Sequence, residues 1–380
     1  MSLSVPLFVP CPMLYLRAED YEHEHRTPLV PMDVGRLVQN GVVVYIQSST
    51  GQRVYSDDAY AAVGAKITTL PWHDDLFRDA LVVGLKTLPS IDRLCGHRHL
   101  YFSHAFRGQS LDQVRCEDQG LRQSLDQVRH EDQGQTNTII QTFRQTSSTL
   151  YDFEYMVDET GHRLLAFGHY AGIVGAGLGL LQYFARISED TYICKLQSWT
   201  DAADYEQDMR AVADCLRLTQ PPRIAVLGPR GRCGRAVCEF LDTMGFPYVG
   251  LDKHDRKTDL LDRFDIVYNC VLLATDQEVV WITADQAEAQ IDHKVIVDIS
   301  CDVTKRNNPF RELYQDVGTW TQPVQVVAPF VDALVLDNLP SLLPKSSSIA
   351  FSGTLTDLLL SKDDGPWARA RAEFERVGHM

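Results

Sequence analysis

The sequence lacks the features that would place it at once in several broad classes. Lys and Arg number 36 against 51 Asp and Glu, and the net charge of −15 argues against nucleic acid as a partner. The nine cysteines follow no metal-ligand spacing, and the first residues have prolines where a secretory signal would have its apolar core. We therefore expect no metal site, reduced thiols and a cytoplasmic protein.

Long hydrophobic runs are also scarce. One run, residues 164–185, carries no formal charge over 22 residues, which is long enough to span a bilayer. Five glycines lie within this run, and the rest of the chain has the pattern of an α/β protein. We therefore expect a buried helix that packs closely through its glycines, and no membrane span.

What the sequence does contain is two regions in which short apolar strands alternate with helical patterns. At 380 residues and 44% hydrophobic side chains, the chain should form two or three domains. The first region, 13–90, has no glycine-rich phosphate loop, whereas the second begins after residue 222 with one. Between them, residues 109–122 are almost repeated by 123–136. Two polar copies predict an exposed loop or a short solvated helix, not a repeat fold.

The most specific motif opens the second region. The apolar run 224–227 meets Gly228, Gly231 and Gly234, an amphipathic helical pattern follows, and a second apolar run ends in Asp252. A dinucleotide needs this order, because the glycines let the backbone approach the pyrophosphate and the acid accepts from the ribose hydroxyls. The spacing is GxxGxxG instead of GxGxxG, so a plain strand–helix turn is the alternative. The position of the acid, 18 residues after the last glycine, favours the dinucleotide.

Eight motifs, in order along the chain, resemble the lysine-forming, NAD-dependent saccharopine dehydrogenases of the fungal α-aminoadipate pathway. They are LRAEDYEHEHRTPLVP (16–31), VVGLKTLP (82–89), YFSHAF (101–106), TLYDFEYM (149–156), GHRLLAFGHYAG (161–172), LGPRGRCGRAV (227–237), VDISCD (297–302) and LDNLPSLLP (336–344). The arginine followed by xxLxP, the GLK strand end and the strand-borne histidine are shared more loosely with alanine dehydrogenase and the transhydrogenase N-terminal region. The LPSLLP segment and the GRCG turn narrow the resemblance to the saccharopine branch.

The resemblance implies an α/β fold of two Rossmann-like, doubly wound domains with the active site in the cleft between them. A discontinuous substrate domain, 1–167 and 338–380, would carry the polar insert 109–136, and residues 168–337 would bind NAD. The implied reaction is the reversible oxidative deamination of saccharopine with NAD and water to L-lysine, 2-oxoglutarate and NADH, the last step of lysine biosynthesis. The implied protein is a monomer that acts on small molecules, without nucleic-acid or membrane partners.

Two residues carry the implied catalysis. Lys86, at the end of the strand LVVGLK, matches the base that accepts the amine proton as hydride leaves. His104, in YFSHAF, matches the acid–base group for imine hydration, to which an imidazole is suited near neutral pH. Taken alone, the lysine could be a solvated strand end and the histidine a hydrogen-bonded core residue.

Charged and aromatic residues match the family's substrate contacts. Arg26 and Arg163 would bind carboxylates, Phe167 would pack on the aliphatic part of the substrate, and Glu24 and Glu154 would tune the cations. The remaining implied contacts are Lys86 itself, Asp337 beside the nicotinamide, and a glutamine that is Gln109 or Gln133, with Gln133 favoured by spacing.

The implied cofactor contacts follow the glycine turn, the second apolar run and the LDNLPSLLP segment. They are Gly228, Gly231, Arg232, Cys233, Gly234, Asp252, Arg256, Leu272, Ile299, Leu336, Asp337, Asn338 and Leu339. Cys233 and Cys270 match a cysteine pair that can be oxidised in the family, and we expect both as thiols. The sequence departs from the family pattern at four positions, namely Tyr21, Arg107, His162 and Leu272.

Two further functions stay open at this point. One is a related amino-acid or opine-type dehydrogenase with another substrate. The other is a degenerate homologue that binds a dinucleotide and acts as a sensor or scaffold, for which the duplicated loop is the best argument. The joint retention of the matched residues argues against decay: Lys86, His104, Arg26, Arg163 and Asp337.

Overall fold

A computed structural model describes most of the chain, in two compact units. The described residues are 12–20, 23–49, 52–86, 88–103, 138–188, 193–216, 220–273, 279–301, 303 and 307–377. Unit 1 comprises residues 1–166 and 348–380, and unit 2 comprises residues 167–347. The duplicated segment 109–136 lies outside the described residues, so the prediction of an exposed loop is not tested by the structure.

Unit 1 is built on a sheet whose neighbouring strands are all parallel. Its strands are β1 (Met13–Leu16), β2 (Val43–Gln47), β3 (Lys66–Thr68), β4 (Leu81–Val83), β5 (Arg98–Tyr101) and β6 (Thr149–Asp152). Within the described residues these six follow the spatial order β3-β2-β1-β4-β5-β6. Alternate side chains of the central strands, such as Tyr15 and Val82, enter a core that also contains Phe77 and Phe143.

Within the described residues, three α-helices lie between these strands, and the ends of two of them follow local sequence signals. They are α1 (Pro31–Gln39), α2 (Asp57–Ala61) and α3 (Thr138–Gln145). Helix α1 begins with a proline, whose missing N–H costs nothing in the first turn. Ser56 caps α2, because its side chain accepts a hydrogen bond from the Ala59 amide.

Unit 2 has a second sheet, mostly parallel, with one antiparallel edge. Its strands are β7 (Ile224–Leu227), β8 (Tyr248–Leu251), β9 (Ile266–Asn269), β10 (Lys294–Asp298), β11 (Val324–Ala328) and β12 (Val331–Leu334). Among the described residues they follow the order β11-β12-β10-β9-β7-β8, with β11 antiparallel to β12. The predicted α/β class with two Rossmann-like sheets is therefore confirmed.

The helices of unit 2 include the uncharged run. They are α4 (Gly168–Ile187), α5 (Ala202–Leu216), α6 (Arg232–Met244), α7 (Leu260–Arg263) and α8 (Ala284–Glu288). A Cβ on Gly175 would lie 2.7 Å from Ile299 Cδ1, and one on Gly179 would lie 2.6 Å from the Tyr268 ring, so both positions need glycine. The prediction of a buried helix packed through its glycines is confirmed. No helix in the described part of the chain is long and apolar enough to cross a membrane.

Two carboxyl-terminal helices complete the described chain. Helix α9 (Pro344–Leu360) begins in unit 2 and ends in unit 1, and α10 (Gly365–Val377) lies in unit 1. Helix α10 packs on β6, where the rings of Trp367 and Tyr151 meet edge to face at 5.4 Å.

The spatial order of each sheet reverses beside one strand. In unit 1, β1 lies between β2 and β4, and in unit 2, β7 lies between β8 and β9. Ligands of open parallel sheets bind outside the carboxyl ends of the strands at such a reversal. The reversal therefore marks one place in each unit where a functional site is expected.

Candidate functional site

At the reversal of strand order in unit 1, a buried carboxylate holds the backbone of Lys86. Strand β4 is followed directly by Gly84, Leu85 and Lys86. Glu19 accepts hydrogen bonds from the Leu85 amide at 2.7 Å and from the Lys86 amide at 3.0 Å, one on each carboxylate oxygen. The backbone that carries the candidate base is thereby fixed at the carboxyl end of the sheet.

A buried arginine lies behind this carboxylate. Arg17 follows β1, its side chain is 1% exposed, and its Nη1 lies 3.3 Å from Glu19 Oε1. The guanidinium also lies over the Tyr101 ring and occupies the space that a Cβ on Gly84 would need. The close packing of Arg17 therefore explains why the GLK motif has a glycine at this position. Burial raises the pKa of Glu19, although Arg17 acts in the opposite direction.

Arg26 is held by Glu24 in a buried, two-point ion pair. Its Nε and Nη2 donate to Glu24 at 2.7 and 2.6 Å, and both side chains are nearly inaccessible to water. Burial alone would raise the pKa of Glu24, but Arg26 and, after it, the charge of Lys86 bring the pKa below its ordinary value. The sequence-predicted residues Lys86, Arg26 and Glu24 therefore share one electrostatic neighbourhood.

A small cavity at this neighbourhood exposes residues that sequence reasoning missed. It holds about 10 Å³, enough for one water molecule, and its charged lining is Arg17, Glu19, Glu24, Arg26 and Arg53. Three guanidinium groups against two carboxylates leave the lining net positive. Nothing in the local sequence around Arg53 marks it as buried, whereas the RAE triplet that holds Arg17 and Glu19 lies inside a motif already singled out.

The third guanidinium of the cavity lining, that of Arg53, is held by residues in and after β2. Arg53 Nη2 donates to the Gln47 carbonyl at 3.0 Å, and its Nη1 lies 3.7 Å from Asp57. The guanidinium also lies over the Tyr60 ring, 5.2 Å from its centre. Burial lowers the pKa of Arg53, but an arginine stays charged at any physiological pH.

The other substrate candidates lie farther along the chain. Arg163 Nη2 is 3.1 Å from Glu154, which follows β6, and Arg163 is about one-third exposed. Phe167 is the half-buried residue before α4. Asp337 is exposed, and its carboxylate accepts a hydrogen bond from the amide of Asn338, which adopts a left-handed conformation at φ +62°.

His104 and both candidates for the glutamine, Gln109 and Gln133, lie outside the described residues. The described chain before His104 ends at Ser103, whose amide and hydroxyl both donate to Asp152, at 3.0 and 2.5 Å. The Phe102 amide donates to the Leu85 carbonyl at 3.0 Å. The ends of β4 and β5 are therefore tied together just before Lys86 and His104 in the chain.

The glycine turn follows β7, at the reversal of strand order in unit 2. Gly228 adopts φ +74°, a conformation that side chains disfavour, and a Cβ on Gly234 would overlap the Gly228 carbonyl. Gly231 precedes the first residue of α6 and offers no side-chain cap, so the amino-terminal amides face the turn without a competing side chain. This is a backbone cradle of the kind that a pyrophosphate needs.

The remaining cofactor candidates lie at the carboxyl ends of the same strands. Leu272 follows β9 and is largely exposed, whereas Ile299, after β10, is buried against α4. Leu336 and Leu339 follow β12 and are buried as well. Because the strands are parallel, these residues share one edge of the sheet with Gly228, Arg232 and Asp252.

At the ribose position the structure adds a partner that the sequence did not suggest. Asp252 follows β8 as predicted, and its carboxylate contacts the guanidinium of Arg230, from the glycine turn. Arg256, which is predicted to contact the cofactor, contacts Asp259 and Thr258 within the protein.

The two matched cysteines are thiols in this structure. Cys233 and Cys270 are both free, and burial raises the pKa of each thiol. A raised pKa keeps the thiol protonated and slow to react at neutral pH.

Comparisons with known proteins bear on both units. Residues 15–174 match the family described as alanine dehydrogenase/PNT, N-terminal domain. A Candida glabrata protein named saccharopine dehydrogenase (NAD(+), L-lysine-forming) is 28% identical over 96% of each chain. The Schizosaccharomyces pombe protein of that name is 28% identical over 96% of this chain and 98% of its own. The resemblance predicted from the motifs is confirmed.

Solved structures support the fold. An L-alanine dehydrogenase has a TM-score of 0.64 at 14% identity and covers 96% of this chain and 99% of its own. A transhydrogenase from Sinorhizobium meliloti has a TM-score of 0.59 at 13% identity, over 94% and 97% of the two chains. At these identities the likeness concerns the fold alone.

Proposed function

We propose that this chain, a relative of the lysine-forming saccharopine dehydrogenases, catalyses the reversible oxidative deamination of saccharopine. Saccharopine, NAD and water give L-lysine, 2-oxoglutarate and NADH in this reaction. The chain is an oxidoreductase of lysine biosynthesis, and its relatives align with it over nearly their whole length. The observation that carries the proposal is the arrangement of Lys86 beside Arg26 and Glu24 at the sheet reversal of unit 1.

Lys86 is the proposed base. The Lys86 amide donates a hydrogen bond to Glu19, which holds in place the backbone from which the side chain extends. Lys86 is proposed to accept the proton of the secondary amine as the hydride leaves. His104 is proposed to assist the addition of water to the imine and the breakdown of the carbinolamine.

Substrate carboxylates are the proposed ligands of the arginines. Saccharopine carries three carboxylates, and a guanidinium can grip one with two parallel hydrogen bonds. Arg26 and Arg163 are proposed for this role, with Gln133 and Asp337 as polar contacts and Phe167 against the aliphatic part. Each of the two arginines already has an acidic partner, Glu24 or Glu154, that orients it.

The residues of unit 2 fit the dinucleotide. The glycine turn, the uncapped start of α6 and Asp252 would hold the pyrophosphate and the adenosine ribose. NAD, when bound, accepts the hydride from the substrate. The remaining proposed contacts are Gly231, Arg232, Cys233, Gly234, Arg256, Leu272, Ile299, Leu336, Asp337, Asn338 and Leu339.

The roles that we propose for the two domains follow the sequence prediction. We propose residues 1–167 and 338–380 as the substrate domain and 168–337 as the NAD domain. We further propose a monomer in the cytoplasm that does not bind nucleic acid. Gel filtration of the purified chain tests the first property, because a dimer would elute at twice the mass.

The function is tested by incubating the pure protein with saccharopine and NAD while following the absorbance of NADH. We expect NADH and lysine to form in equal amounts. Lys86→Met should lower turnover about a hundredfold to ten-thousandfold, with a smaller effect on saccharopine binding. Lys66→Met, which removes an exposed lysine of β3, is the matched control.

Three outcomes contradict the proposal. NADH formation with other amino acids but not with saccharopine would favour a related dehydrogenase. Binding of NAD without turnover of any such substrate would favour the sensor or scaffold. Unchanged turnover in Lys86→Met would remove this lysine from the mechanism.

A further inference from the structure

The ribose end of unit 2 has an unusual charge balance. The carboxylate of Asp252 accepts a hydrogen bond from the Lys253 amide at 2.9 Å on one oxygen and contacts Arg230 with the other. The Lys253 amide lowers the pKa of Asp252, and the charges of Arg230, His254 and Lys257 act in the same direction. The acid expected to hold the ribose hydroxyls therefore already carries a counter-ion.

The position of Arg230 follows from the packing of the turn before it. The Gly228 amide donates to the Leu251 carbonyl at 2.9 Å, which ties the turn to the end of β8. A Cβ on Gly250 would lie 2.9 Å from the Pro229 ring, so the ring rests on a strand position that has no side chain. With Pro229 seated there, the next residue lies beside the end of β8, where Asp252 follows.

Two of the neighbouring cations, Arg256 and Lys257, are engaged elsewhere. The guanidinium of Arg256 contacts Asp259 and Thr258. The ammonium of Lys257 contacts the Asp252 carbonyl, donates to the Asp255 carbonyl at 3.0 Å and lies over the Trp281 ring. Among the ion pairs of the described residues, the carboxylate of Asp252 is met by Arg230, whose side chain is 78% exposed.

We propose that Arg230 gives this site affinity for a 2′-phosphorylated adenine dinucleotide, which the chain accepts beside NAD. An unpaired aspartate repels a 2′-phosphate, whereas an arginine at this place accommodates one. Arg230 cancels the charge of Asp252, and its exposed guanidinium can turn from the carboxylate to the phosphate and bind it with two hydrogen bonds. The inference rests on the cofactor role of unit 2 in the proposed function.

The test compares two probes that differ by the 2′-phosphate alone. Isothermal titration of the full chain with 5′-AMP and with 2′,5′-ADP gives a ratio of dissociation constants without any turnover. Arg230→Leu should weaken 2′,5′-ADP about tenfold to a hundredfold, the range of a lost charge-assisted hydrogen bond, and leave 5′-AMP unchanged. Asp252→Asn should strengthen 2′,5′-ADP and weaken 5′-AMP.

Arg210→Leu is the charge-matched control. Arg210 is an exposed arginine of α5 that donates to the Thr243 carbonyl, away from the glycine turn, so its loss should not move the ratio. Equal effects of Arg230→Leu on both probes, or none on either, would overturn the inference and leave the proposed function intact. Failure of the wild-type chain to bind 5′-AMP would overturn both.

Discussion

The two sheet reversals hold opposite kinds of site. At the reversal of unit 1, β1 is followed by Arg17 and β4 by the chain that carries Lys86, and the space is filled with buried arginine and glutamate side chains. At the reversal of unit 2, β7 is followed by Gly228, and the space is lined by backbone. One site thus presents buried charged residues in pairs, and the other presents backbone amide groups and one exposed ion pair, that of Arg230 with Asp252.

Under the proposed function, the strand order does not select the ligand. Unit 1 has the order that dinucleotide-binding folds commonly have, yet Arg17 occupies the position after its first strand where unit 2 has a glycine. A guanidinium there excludes a pyrophosphate by volume and supports a carboxylate framework instead. Under the same proposal, the residues at the strand ends, and not the topology, decide what each sheet binds.

Unit 2 also has a group of paired charges at the amino ends of its strands. In unit 2, Asp265 at the start of β9 accepts from Arg223 before β7 at 2.7 Å and from Lys294 of β10 at 2.9 Å. These residues mark the amino ends of three neighbouring strands, opposite the glycine turn. Their contribution should be to stability, whereas the charges of unit 1 lie where the chemistry is proposed.

The largest expected effect concerns Glu19. Glu19→Ala removes the acceptor of two amides and leaves Arg17 buried without its carboxylate, which should cost about 3–5 kcal/mol of unfolding free energy. Glu19→Gln keeps one carbonyl acceptor and should cost less. Urea denaturation measures both. By contrast, Arg230→Leu breaks an exposed pair of unit 2 and should leave stability unchanged. Wild-type stability in Glu19→Ala would show that this framework does not support unit 1.

The next effect separates the two proposed carboxylate ligands. Arg26→Ala and Arg163→Ala should each raise the KM for saccharopine about tenfold to a hundredfold, since each loses a charge-assisted hydrogen bond. Arg26→Ala should also destabilise the fold, because the buried Glu24 would lose a two-point ion pair. Arg163→Ala should destabilise it less, because Arg163 is about one-third exposed, although its partner Glu154 is buried as well. Steady-state kinetics with melting curves measure both. A rise in the KM for NAD alone would contradict the assignment.

The smallest effect is the pH dependence of the ion group in unit 2. Burial would raise the pKa of Asp265, but Arg223 and Lys294 outweigh it and lower the pKa from 3.8 to about 2. A lowered pKa stabilises the fold above the unfolded value, and that contribution is lost as the pH falls from 3.8 through about 2.

Asp265→Asn should therefore cost about 2 kcal/mol at pH 7, and its difference from the wild type should shrink towards acid pH. Unfolding curves across this range check the expectation. The exposed Asp262→Asn is the control and should follow the wild type. A difference that stays constant with pH would mean that packing, and not charge, accounts for the loss.

Local sequence patterns determined the elements whose signals lie within a few residues. The glycine turn, helix α6 and Asp252 were predicted in order, because a strand, a tight turn and a helix each leave a short periodic trace. The uncharged run was predicted as a buried helix because its glycines indicate close packing. The parallel pairing of β10 with β12, by contrast, joins partners distant in the chain, such as Lys294 and Val331.

The candidate roles came from motif resemblance, but their support did not. Lys86 and Arg26 lie in the motifs, yet the Lys86 amide donates to the carboxylate of Glu19, 67 positions earlier in the chain. Arg53, from another loop, lines the same small cavity as Arg26. Arg230 meets Asp252 because Pro229 rests on Gly250. Sequence by itself determined which chemistry each region carries. The tertiary structure decided which charges are paired, because burial and contact depend on residues that the chain brings together only when it folds.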